Sequence, residues 1–75
     1  MRLPRLTGRE VIRVLQRLEF RLARVRGSHH YLVHSLDPTR RATVPLHGNR
    51  VLHPAILTSI LRSSGVTREE MIAQL

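Results

Sequence analysis

Val11, Val14, Leu15 and Leu18 recur at i, i+3, i+4 and i+7, the spacing of one helical face, with Ile12 at its edge. Arg9, Arg13 and Arg17 line the opposite side, where they are expected to be solvated. In front of this face, Thr7-Gly8-Arg9-Glu10 has the form of a capping box, and Leu6 and Val11 are spaced as a hydrophobic staple. These signals predict a first helix starting at Thr7. The period then changes. Phe20, Leu22, Ala23 and Val25 precede Gly27-Ser28 and the apolar-rich His30-Tyr31-Leu32-Val33, which is a hairpin signal. With Gly27-Ser28 as a type II′ turn, Arg26 faces His29, Arg24 faces Tyr31 and Leu22 faces Val33, while Val25, His30, Ala23 and Leu32 take the other face. Both faces carry apolar side chains, so alternation leaves open which one packs on the helices.

A turn at Leu36-Asp37-Pro38-Thr39 leads to a short third strand, Arg41-Ala42-Thr43-Val44, which Pro45 ends by removing a ladder donor. His47-Gly48-Asn49-Arg50 reads as a loop. Pro54 suits the first position of a second helix, with Ile56, Leu57, Ile60 and Leu61 as its apolar side and Gly65 as a left-handed cap. Thr67-Arg68-Glu69-Glu70 is a second capping box, stapled by Val66 and Met71, so a short helix is expected to run to about Gln74. The architecture predicted is α+β, in the order α-β-β-β-α with a short C-terminal helix.

Length bounds this picture. Seventy-five residues with 41% hydrophobic content suit one compact domain over residues 1–75, and such a chain buries only about 60% of its unfolded surface. A partner that adds to its stability is therefore expected. No apolar run is long enough to span a bilayer, and MRLPRLTGRE has a charged start without the apolar stretch of a signal peptide, so a cytoplasmic protein is expected. The absence of Cys removes disulfides and thiolate zinc sites.

Charge narrows the partner. The formal net charge is +8, and all 13 basic residues are Arg. A guanidinium binds phosphate bidentately and stacks on bases, which suits nucleic acid, although GC-rich codon usage also favours Arg and an acidic protein would serve as polyanion. As a metal site the histidines are poorly spaced: His30 and His34 share a strand face but lie about 13 Å apart along it. No acidic cluster offers a magnesium site, so neither metal nor cofactor is expected.

The element order, with GSHH after the first strand, VPLHGNRVL after the third and ILRSSGVTREEM near the end, resembles the HicA toxin family. The resemblance spans nearly the whole chain. It implies a double-stranded-RNA-binding-domain-like fold and a messenger-RNA interferase held inactive by an acidic antitoxin of HicB type. The family's catalytic histidine falls on His29, and its Val-Pro-x-His element on Val44, Pro45 and His47. Members commonly carry Gly before the aromatic residue that opens the first strand, where this chain has Glu19. A Glu in a left-handed cap is strained, so the first helix is expected to end differently. Leu52-His53-Pro54 also departs from the Gly or Lys often found there.

The chemistry of RNA scission fits these residues. A base must take the 2′-hydroxyl proton, and histidine is the side chain whose ordinary pKa lies nearest neutrality. Arg24 and Arg26 are placed to hold the scissile phosphate and to stabilise developing charge. The RNA-binding set expected is Arg24, Arg26, Gly27, Ser28, His30 and His47, around a single catalytic His29. The general acid stays open among His30, Tyr31 and Ser28. His34 and His53 are expected on the surface. Two rival readings are a non-catalytic RNA-binding module, which explains the charge but not GSHH, and a DNA-binding helix-turn-helix over the last 21 residues. The latter would start its recognition helix with Glu69 and Glu70, which repel phosphate.

Overall fold

The computed structural model describes residues 2–75. Met1, the first residue of the stretch read for a leader, lies outside them. The elements run α1 (Gly8–Arg17), β1 (Phe20–Arg26), β2 (His29–His34), β3 (Arg41–Pro45), α2 (Pro54–Ser64) and α3 (Arg68–Ala73). The strands form one antiparallel sheet in the order β1-β2-β3, packed on one side by the helices. This is the α-β-β-β-α arrangement of a double-stranded-RNA-binding-like fold with a short helix appended. No helix among the described residues is long and apolar enough to cross a membrane.

Both capping boxes form. The Glu10 amide donates to Thr7 Oγ1 at 3.2 Å and the Thr7 amide donates to Glu10 Oε1 at 2.9 Å. Thr67 and Glu70 repeat the exchange at 3.1 and 2.9 Å. Leu6 and Val11, and likewise Val66 and Met71, are buried, as stapled pairs should be. Along α1 the face Val11, Val14 and Leu15 enters the core. Gly8 sits against the carbonyl of Pro45 so closely that a Cβ there would collide with it, which seats the first turn of α1 on the end of β3. Along α2 the buried set is Leu57, Ile60, Leu61 and Ser64, with Gly65 as a left-handed cap. Ile56, expected on that face, is one step round the helix and exposed.

The sheet departs from the simple hairpin register. Pairing follows the two-residue turn for Arg26–His29, Val25–His30 and Arg24–Tyr31, and then slips at Ala23. Beyond that bulge Leu22 faces Leu32, Arg21 faces Val33 and Phe20 faces His34. The expected pairs Leu22–Val33 and Ala23–Leu32 do not form. An unbroken register would put Phe20 and Leu22 beside Arg24 and Arg26; one extra residue turns them to the helix side, where Phe20 is 3% exposed. The core face is therefore Phe20, Leu32, Ala42 and Val44, all buried. The other face is open.

Several side chains take structural work that the sequence did not announce. Glu19 does adopt the left-handed conformation, with φ 73°. The chain must turn from α1 directly into β1, and the Glu19 carbonyl is held there by the Ser35 amide at 2.9 Å. His34 is half-buried rather than on the surface. Its ring meets Phe20 edge-on at 5.0 Å, and its Nδ1 accepts the amides of Leu36 and Asp37. His53 is exposed, yet it caps α2 by accepting the Ala55 amide at 3.0 Å. Arg17, read as solvated, donates to the Gln74 carbonyl at 2.6 Å and so ties α1 to the end of α3. Arg40 lies over the Phe20 ring and donates through Nε to the Ser64 carbonyl at 2.7 Å, satisfying an orphan acceptor at the end of α2.

Candidate active site

The turn between β1 and β2 is built by Gly27, whose φ of 58° suits the first central position of a type II′ turn. Its second residue, Ser28, is anchored through its carbonyl. That oxygen accepts the Leu46 amide at 2.8 Å and, in the Nδ1–H tautomer, the ring of His30 at 3.2 Å. The first bond ties the Pro45-Leu46-His47 segment to the turn. The backbone on which His29 stands is thus held from β1 on one side and from β3 on the other.

His29 opens β2 on the open face of the sheet and is exposed. Across the ladder it is flanked by Arg26 on β1 and Pro45 on β3, and side chains in such cross-strand positions have Cβ atoms roughly 4.5–5.5 Å apart. Two residues along, Tyr31 shares its face. The His29 and Tyr31 rings meet edge-on with centroids 6.5 Å apart and an interplanar angle of 78°. The Arg24 guanidinium lies over the Tyr31 ring, 4.6 Å from its centroid. Arg24, Tyr31 and His29 thus follow one another on this face, with the cation–π contact holding the Arg24 guanidinium on the Tyr31 ring, the aromatic neighbour of the imidazole.

Electrostatically this face has one sign. By pairing, Arg21, Arg24, Arg26 and Arg41 lie on it with His29, Tyr31, Val33, Thr43 and Pro45, and it carries no carboxylate. Arg41 also donates to the Pro38 carbonyl at 3.2 Å. Arg21 and Arg41 were not singled out from the sequence; the bulge brings the first to this face, and the pairing of β3 brings the second.

Arg24, Arg26, Gly27, Ser28 and His29 are brought together at one end of the open face. His30 is turned to the helix side, half-buried, with its ring engaged at Ser28. His47 is exposed in the loop after β3, where it lines a shallow depression of about 220 Å³ with Pro45, Arg50, His53 and Ile56. Among the described residues no three His, Asp or Glu side chains gather as a metal site.

A family model described as HicA toxin of bacterial toxin-antitoxin matches residues 8–66, from the first residue of α1 to the residue before the Thr67 cap. No curated protein matches the chain at a significant level.

Proposed function

The chain belongs to the HicA toxin family of bacterial toxin-antitoxin systems, and on that premise we propose that it is a metal-independent endoribonuclease that cleaves messenger RNA with His29 as its single catalytic base. The observation that carries this reading is the exposed His29 imidazole opposite Arg26, beside the Arg24–Tyr31 stack, on a sheet face without a carboxylate. In the reaction, His29 takes the proton of a ribose 2′-hydroxyl, the freed oxygen forms a bond to the adjacent phosphorus, and the bond from phosphorus to the 5′-oxygen breaks. A proton must reach that leaving oxygen. Of His30, Tyr31 and Ser28, Tyr31 shares the face of His29 and Ser28 precedes it in the turn, whereas His30 faces the helices. Arg24 and Arg26 hold the phosphate and offset the charge gathering on its oxygens. Positioned base catalysis supplies about 10²–10⁴-fold and a fixed donor a comparable factor, enough for a slow nuclease.

Gly27 and Ser28 contribute the tight turn that lets the RNA backbone approach, and His47 is a secondary contact at its margin; His30, expected among the RNA contacts, instead faces the helices and supports the turn through the Ser28 carbonyl. As a toxin of this family the protein works against an antitoxin, which we take to be an acidic protein of HicB type covering His29 and its arginines. Acting on messenger RNA, it works in the cytoplasm.

The test is cleavage of single-stranded RNA in EDTA by the wild type and by His29→Ala. The wild type is expected to give fragments ending in a 2′,3′-cyclic phosphate and a free 5′-hydroxyl. His29→Ala is expected to give none, while its folding stability stays within about 1 kcal/mol, as for an exposed side chain. Cleavage retained by the variant overturns the assignment. Binding without cleavage by the wild type would instead favour the non-catalytic RNA-binding module.

A further inference from the structure

The helix layer is narrower than the sheet it covers. On the core face two rows run across the strands, Leu22–Leu32–Ala42 and Val25–His30–Val44. Within each row burial fades toward β1. Leu32 and Val44 are fully buried and Ala42 nearly so, but Leu22 is 44% exposed and Val25 50%. The cause is placement: α2 packs on β3, and α1 packs on both β1 and β3, with Phe20 at the start of β1 buried. The rest of β1 has apolar side chains on the face that elsewhere forms the core, and the helices leave Leu22 and Val25 about half exposed.

We propose that this uncovered side of β1, at Leu22 and Val25, is where the antitoxin grips the toxin. The inference rests on membership of a toxin-antitoxin family and holds whatever chemistry His29 performs. Charge selects the occupant. The same strand presents Arg21, Arg24 and Arg26 on its other face, and the chain carries +8. A second copy would bring an equal charge against these arginines, so self-association through β1 is opposed, while an acidic partner with apolar residues is favoured on both faces of the strand. The bulge at Ala23 interrupts the outer hydrogen-bond row of β1, so side-chain packing rather than strand addition carries the contact. A protein interface buries roughly 800 Å² per partner. Centred on Leu22 and Val25, such an area wraps the edge of β1 and reaches Arg26, whose ladder partner is His29. The grip thus lies off the face that would meet RNA, and the arm of the antitoxin that crosses the edge closes the site.

The experiment compares the wild type, a Leu22→Ser/Val25→Ser double variant and Leu36→Ser, which removes an equally apolar side chain that is 85% exposed in the turn before β3. Affinity for the purified cognate antitoxin is read by biolayer interferometry, and RNA cleavage by the free toxin is read in parallel. The double variant is expected to bind at least tenfold more weakly, mainly through faster dissociation, with free-toxin cleavage unchanged; Leu36→Ser is expected to bind as the wild type does. Hydroxyl-radical footprinting of the wild-type complex, which needs no variant to fold, is expected to protect Leu22 and Val25. Affinity within twofold of wild type, unprotected Leu22 and Val25, or a toxin dimer in sedimentation that the double variant abolishes would each overturn the proposal. If no RNA is cleaved at all, the nuclease reading fails and the binding and footprinting results still decide this one.

Discussion

Glu19→Gly is expected to stabilise the protein. Glu19 holds φ 73°, the same value as Gly65, so the fold uses one conformation twice, once with a residue suited to it and once without. A Cβ in the left-handed region costs roughly 1–2 kcal/mol. Against this, glycine adds freedom to the unfolded chain, worth about 0.4–1 kcal/mol. Removing a negative charge at the carboxyl end of α1 returns a few tenths of a kcal/mol, because that end already carries the negative pole of the helix. The Glu19 side chain is exposed, and the bond from the Ser35 amide to its carbonyl is independent of the side chain. The balance is about 0.5–1 kcal/mol in favour of Gly, or roughly 3–6 °C in melting temperature for a domain of this size. Calorimetry and urea titration of both proteins measure it. Gly65→Ala is the internal comparison. There the same φ applies and a Cβ would approach Arg40 Nε to 3.2 Å, so a loss of about 1–2 kcal/mol is expected, with disturbance of the Arg40–Ser64 bond. A neutral or destabilising Glu19→Gly alongside a costly Gly65→Ala would refute this account of backbone strain.

Replacing Arg24 or Arg26 by Gln is expected to weaken RNA binding and lower the salt slope by about 0.7 for each single-strand phosphate that is no longer neutralised; unchanged slope and rate in both variants would remove them from the RNA face. Acid should destabilise the fold through its caps. The carboxyls of Glu10 and Glu70 are held below their ordinary value, chiefly by the Thr7 and Thr67 amides, and that of Asp37 chiefly by the Thr39 hydroxyl. A folded-state pKa below the unfolded one contributes stability that is present above the unfolded value, near 4.5 for Glu, and lost as pH falls through the folded one. Urea midpoints should therefore decline below about pH 4.5, and a Glu10→Gln/Glu70→Gln variant should show a shallower decline; equal acid limbs in the two proteins would count against the caps as its source.

The features legible along the chain are the local ones. Thr7 with Glu10, Thr67 with Glu70, Pro54 and Gly65 mark helix ends because each cap is closed by groups within four residues, and Gly27-Ser28 marks the turn for the same reason. The pairing of His29 with Arg26 and of Tyr31 with Arg24 was legible too, since it needs only the register next to a two-residue turn. Packing between distant segments settled the rest. Alternation could not choose the core face, because both faces of the hairpin are partly apolar; the choice falls to Leu32, Ala42 and Val44, which fill the gap beneath α1 and α2. The bulge at Ala23 exists because Phe20 must reach that gap while Arg24 and Arg26 stay in solvent, a conflict between the two ends of β1 that appears only when the helices are in place. Arg40 and His34 gained their roles from Ser64 and Phe20, partners 24 and 14 residues away in the chain. Glu19 took a conformation its side chain disfavours because packing of α1 on the sheet fixes where β1 must start, and the energy of that packing exceeds the roughly 1–2 kcal/mol of backbone strain.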